Sequence, residues 1–211
     1  MTRITLYFVK TIIAALIALF VSSCTIKIDG SDPVEPMGQV ITKKVSINET
    51  FENITTSNCL NVILTQSNTN EIQVEAQENL HEYIKVYVKN NTLYVEKEEI
   101  FANNATKNIY VSTPKIQTIK ASSGSSVTGK NSIKSKNLNL DTSSAATITI
   151  ETVAEYLTTE ASSGSEISVR GKVINFNADS SSGATIYATE LTCKDVVAAA
   201  SSGSVIKTNA I

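Results

Sequence analysis

The residues able to do chemistry fall into a few groups. Cys24 ends an apolar leader, Cys59 and Cys193 stand far from it and from each other, and His81 is the only histidine. Between residues 115 and 211 the serines come in pairs followed by a small residue: Ser122-Ser123-Gly124, Ser143-Ser144-Ala145, Ser162-Ser163-Gly164, Ser181-Ser182-Gly183 and Ser201-Ser202-Gly203. A serine nucleophile needs a base and an acid that orients the base. The repeat half holds no histidine, and five equivalent serines point to structure. His81 lies between Glu78 and Glu82 without a second histidine or a nearby cysteine, so it makes neither a metal site nor a strong general base. Catalytic residues, metal ligands and cofactors are expected to be absent.

One outward column offers charge instead. Two residues before each serine pair stand Lys120, Asp141, Glu160, Asp179 and Ala199. Asp141, Glu160 and Asp179 would sit one repeat apart on one face. They are read either as a solvated acidic stripe or as a binding face. The second serine of each pair is expected to point inward, in a ladder of hydroxyls that hydrogen-bond along the stack.

These groups need a frame. Spacings of 21, 19, 19 and 20 residues separate the pairs. Aligned on the first serine, the apolar positions all fall at odd offsets. Val127, Ile148, Ile167, Ile186 and Ile206 lie at plus five, and Leu138, Leu157, Phe176 and Val196 at minus five. Alternation kept in phase through a fixed repeat is the mark of stacked β-coils. The expected fold is all-β: a right-handed parallel β-helix, or solenoid, with coils of about 20 residues in the C-terminal half. Strands and hairpins precede it. Leu60, Val62 and Leu64 alternate with polar residues, as do Ile72, Val74 and Ala76, and Ile84, Val86 and Val88. Asn90-Asn91 is a credible hairpin turn.

The start of the chain sets the compartment. Arg3 and Lys10 precede an apolar run from Ile12 to Val21, and Val21-Ser22-Ser23-Cys24 looks like a lipobox. A run this short suits a cleaved secretory signal better than a membrane span. Cys24 is then the lipidated N-terminus, bearing palmitate-type acyl chains that hold the protein to an envelope membrane, expected to be the outer membrane. The expected organisation is a signal at 1–23, a flexible tether at 24–38, an N-terminal β part at 39–115 and the solenoid at 116–211. The last two could be one continuous domain. Cleavage removes two of the 18 basic residues and none of the 20 acids, so the remainder is mildly acidic and nucleic acid is excluded as a partner. Sequence separation gives no support for a Cys59–Cys193 disulfide. The C-terminal coil carries no evident polar cap, so a cover is expected, either from the first half or from a second copy by self-association.

The order of the segments carries a resemblance. Phe51-x-x-Ile54, Asn61 to Gln66, Ile72 to Glu75, Asn79-Leu80, Asn91 to Val95 and Ile109 to Ile116 lead into the Ser-Gly repeats. This layout resembles the family called putative auto-transporter adhesin, head GIN domain, found among bacterial envelope lipoproteins. The resemblance implies a β-helical fold and supplies no catalytic residues. The reading is a structural or adhesin-like module that binds a glycan or protein at the cell surface. The alternative is a polysaccharide-active enzyme on the same scaffold, which needs clustered acids beside Arg, Lys or His. After residue 24 the chain has one arginine, Arg170, and no tryptophan.

Overall fold

A computed structural model describes residues 32–209. The segment read as a signal, Cys24 and the first part of the segment read as a tether lie outside the described residues. The strands are β1 (Val40–Val45), β2 (Asn53–Thr56), β3 (Asn61–Gln66), β4 (Glu71–Gln77), β5 (Ile84–Lys89), β6 (Thr92–Lys97) and β7 (Lys107–Thr113). They continue as β8 (Thr118–Ala121), β9 (Ser126–Thr142), β10 (Thr147–Ala161), β11 (Glu166–Ser180), β12 (Thr185–Ala188), β13 (Leu191–Ala200) and β14 (Val205–Thr208). A single 3-10 turn, Glu78–Leu80, interrupts them.

The long strands stack in parallel, one coil per repeat, as a β-solenoid of about five turns. Ile148 pairs with Val127 on one side and Ile167 on the other. Each repeat therefore lands its odd offsets over those of the next. Val127, Ile148, Ile167 and Ile186 are buried, as are Leu138, Leu157 and Phe176. The burial of these columns is the main source of stability, at roughly 25 cal/mol per Å² of apolar surface.

The N-terminal strands extend the same stack in an unexpected order. β2 pairs in parallel with β8 and β3 with β9, so this first coil lies directly under the repeats. On its other side lie β6, parallel to β2, and β7, parallel to β3, although both follow β3 in the chain. The chain thus leaves the β2–β3 coil, builds the coil beneath it, and skips past it to begin β8. Antiparallel strands close the bottom: β5 on β6, β4 on β7, and β1 on β4. The β5–β6 hairpin turns at Asn90 and Asn91, with φ of +51° and +59°, as their residue type predicts. The segment read as a tether is docked at its end: Val34 N–H donates to Ile100 O and Ala102 N–H to Val34 O.

The Ser-Ser-Gly corner is a four-residue turn, and here the structure corrects the expected hydroxyl ladder. The second serine and the residue after it both take positive φ, for example +54° and +68° at Ser163-Gly164. Two successive left-handed residues make a type I′ turn, closed by Ser165 N–H donating to Ser162 O. In that conformation the second serine faces solvent: Ser123, Ser144, Ser163, Ser182 and Ser202 are all exposed. The inward hydroxyl belongs to the fourth residue where that residue is a serine, buried at Ser125 and Ser165 and part-buried at Ser204. Ser125 Oγ donates to Thr56 O, Ser165 Oγ to Thr142 O and Ser204 Oγ to Ser180 O, each fastening one coil to another. The continuous ladder along the axis belongs to the backbone, from the third residue's N–H to the second serine's carbonyl of the next coil. Cys59 N–H donates to Ser123 O in the same way, so Ser57-Asn58-Cys59-Leu60 is a sixth corner, with Asn58 and Cys59 at φ of +61° and +59°. Cys193 is a free, buried thiol, so no Cys59–Cys193 bond exists.

The opposite corner is held differently. Gly171 sits at φ +120°, and a Cβ built there would meet Thr152 O of the preceding coil at 2.0 Å. At the C-terminal end, β13 pairs only with β11 and β14 only with β12 among the described residues. The first half lies at the far end of the stack and does not cover this one, which corrects one of the two covers expected from sequence.

Candidate functional site

The outward positions of each wall line up in columns because the coils are in register. On the wall made by β6, β2, β8 and the later parts of β9, β10, β11 and β13, one column runs Tyr94, Thr55, Lys120, Asp141, Glu160, Asp179, Ala199. The structure brings Asp141, Glu160 and Asp179 together as expected, one coil apart, or about 4.8 Å. It also adds what the alternation did not reveal. Lys120 Nζ lies 2.9 Å from Asp141 Oδ2, so the stripe begins with an ion pair. The Asp141 carboxylate is the main cause that holds the Lys120 pKa above the usual lysine value, and Glu160 adds to it. Glu160 and Asp179 make no ion pair among the described residues. Asn139, Thr158 and Asn177 form the neighbouring column of the same wall.

At its lower end the wall carries aromatic rings. Tyr87 and Tyr94 stack with centroids 5.2 Å apart and planes 12° from parallel. Tyr87 O–H donates to a Glu96 carboxylate oxygen at 2.9 Å, which is the first cause of its raised pKa. The sequence reading, which noted only the lack of tryptophan, missed this pair. The hairpin turn at Asn90-Asn91 fixes its register and was the signal that could have found it, since it sets residue 87 opposite 94.

Arg170 lies elsewhere, at an outer corner. Its Nε donates to Glu151 Oε2 at 3.1 Å, and Tyr187 and Glu190 line the same shallow hollow. Both charged partners are substantially exposed, so this is a surface ion pair. His81 Nε2 faces the carbonyls of Ile41 and Ala76, and this fixes the β1–β4 cap. Lys97 is the most perturbed cation: burial, then like-charged Lys107, pushes its pKa down to about 8. Its Nζ donates to Glu99 O at 2.6 Å and lies 4.6 Å from the centre of the Phe101 ring, an internal arrangement at the bottom of the stack. Among the described residues no three His, Cys, Asp or Glu side chains are grouped to hold a metal ion, and no helix is long and apolar enough to cross a membrane.

A family profile described as putative auto-transporter adhesin, head GIN domain, matches residues 50–211. No curated protein matches the sequence. Several crystal structures share the fold. A putative adhesin from Parabacteroides merdae aligns with a TM-score of 0.66 at 19% identity, over 84% of each chain. One from Bacteroides fragilis aligns at 0.69 and 16%, over 84% of this chain and 97% of its own. A putative lipid binding protein from Parabacteroides distasonis aligns at 0.60 and 15%, over 85% of this chain and all of its own.

Proposed function

The chain belongs to that family, and from this premise we propose that it is a binding module of the cell envelope. It is held to the outer membrane through acyl chains on Cys24, and it takes a glycan or protein ligand at the cell surface without turning it over. The observation that carries this reading is the wall of in-register polar columns. Lys120, Asp141, Glu160 and Asp179 run up it in single-coil steps from the stacked Tyr87–Tyr94 pair. Aromatic faces and evenly spaced carboxylates, amides and hydroxyls suit weak contacts that add along a repeating ligand. Catalysis asks for the opposite, a local break in the repeat with enclosed groups of shifted pKa. Glu151 and Arg170 are the nearest approach to such a site, and they are an exposed ion pair.

The test joins two measurements. Binding of the purified protein to arrayed glycans and to envelope proteins is compared with that of a variant carrying Asp141→Asn, Glu160→Gln and Asp179→Asn. The triple variant is expected to lose at least tenfold in affinity, about 1.4 kcal/mol. Binding that survives in full would remove this wall as the contact face. Turnover on polysaccharide, ester or peptide panels, abolished by one substitution, would replace the binding reading with an enzyme. For the anchor, mass spectrometry of the native protein is expected to show acylated Cys24 as the first residue, and Cys24→Ala to leave the precursor uncleaved.

A further inference from the structure

The terminal coil departs from the repeat in one consistent way. In the column that ends at Val197, the outward residues of the earlier coils are Asn53, Thr118, Asn139, Thr158 and Asn177. In the column that ends at Val205 they are Asn61, Ser126, Thr147, Glu166 and Thr185. The charged column described above ends at Ala199. Three outward columns that are polar throughout the repeats thus turn apolar together in the final coil. Val197 and Val205 are 68% and 43% exposed. Among the described residues nothing pairs with the outer edges of β13 and β14, beneath which Val196, Ala198 and Ile206 continue the inward columns. An open edge bordered by apolar side chains on both faces is built to be covered.

The pattern of β13 selects the cover. The strand rounds an outer corner at Lys194 and Asp195, where two successive residues both face solvent. On either side the alternation is a mirror image: Cys193 and Val196 face in, Thr192 and Val197 face out, Leu191 and Ala198 face in. A strand with this symmetry pairs with its own copy in antiparallel fashion without placing an inward residue over an outward one. Centred between 194 and 195, the pairing also sets Lys194 opposite the partner subunit's Asp195, twice. Neither residue has an ion-pair partner among the described residues of its own chain.

We propose that two copies join end to end through their terminal coils, β13 against β13 about a two-fold axis between Lys194 and Asp195. The result is one continuous solenoid with the two antiparallel caps at its outer ends. The proposal does not depend on what the walls bind. It is tested on the full-length chain in detergent by sedimentation equilibrium, with a dimer expected at micromolar concentration. Lys194→Asp and Asp195→Lys each put like charges across the axis and are expected to weaken the dimer about tenfold or more. The double exchange restores opposite pairs and is expected to restore the dimer. Val197→Lys is expected to leave monomer. All three positions are exposed, and an unchanged thermal midpoint and circular dichroism spectrum identify the monomeric variants as folded. A wild type that stays monomeric at about 100 µM, or a dimer indifferent to all four variants, overturns the proposal.

Discussion

Gly171 and Gly164 offer a sharp test of how the coils are held. Each would gain one methyl group on substitution by alanine, and each sits at positive φ, +120° and +68° respectively. At Gly164 a Cβ meets nothing within 4 Å, so Gly164→Ala carries only the backbone penalty of a left-handed alanine, about 1–2 kcal/mol. Ala145 already occupies the equivalent corner one coil away, at φ +59°. At Gly171 the new carbon would lie 2.0 Å from the carbonyl oxygen of Thr152, a residue that is itself fully buried. Relief requires one coil to retreat from the next by about 1 Å. That retreat loosens the parallel ladder between β10 and β11, in which Thr152 is the partner of Gly171. Losing two or three buried backbone bonds at 1–3 kcal/mol each, on top of the conformational term, gives roughly 4–7 kcal/mol. At roughly 2–4 °C per kcal/mol for a domain of this size, Gly171→Ala should lower the thermal midpoint by 10 °C or more, against a few degrees for Gly164→Ala. Calorimetry or urea unfolding of the two variants side by side decides it. Equal losses, or a Gly171→Ala loss below about 2 kcal/mol, would mean that close approach at this corner is not what sets the coil spacing.

Two further outcomes follow from the core. Ile167→Asp buries an unpaired charge in the central column and should cost about 3–5 kcal/mol, while Glu166→Lys, one residue away and facing out, should change stability by less than about 0.5 kcal/mol in urea unfolding. Lys97 supplies a pH dependence. Its folded pKa of about 8 lies below the ordinary 10.5, so between these values the unfolded chain binds more protons and wild-type stability gains from this group as pH rises. Lys97→Met should therefore be more stable than wild type near pH 7 and lose that advantage by about pH 10.5; a difference that stays constant with pH would refute the cause assigned to the shift.

The repeat half was legible because one physical rule, inward at odd offsets, governs every coil. The plus-five and minus-five columns are buried where the sequence puts them, apart from Val196 and Ile206 in the open last coil. The same rule misled at the corner. Parity carried through the serine pair points the second serine inward, but two left-handed residues reset the phase, and sequence parity cannot register a change of backbone handedness. Asn58-Cys59 was missed as a corner for a related reason: it shares conformation with Ser-Gly and little in residue type. The place of β6 and β7 beneath β2 and β3 was not legible at all. Parallel pairing between distant segments leaves no local trace, because any strand of matching alternation can lie next to any other. In the candidate site the acidic column was readable from spacing, whereas the Lys120–Asp141 pair depends on rotamers and the Tyr87–Tyr94 stack on combining a turn with a register.

The skipped coil also bears on how such a chain resists being pulled. Load applied from its N-terminal side meets the Val34 bonds to Ile100 and Ala102 and then β1, an edge strand whose one strand partner among the described residues is β4. Freeing β1 gains little length, for the next strand is β2, gripped on one side by β6 and on the other by β8. A solenoid wound in simple sequence order unreels from its first coil like thread from a spool. Here the first coil in the chain is the second in the stack, so β2 can leave only by shearing past two neighbours at once. Tension that enters through the β1 end meets a mechanical stop before it reaches the walls above.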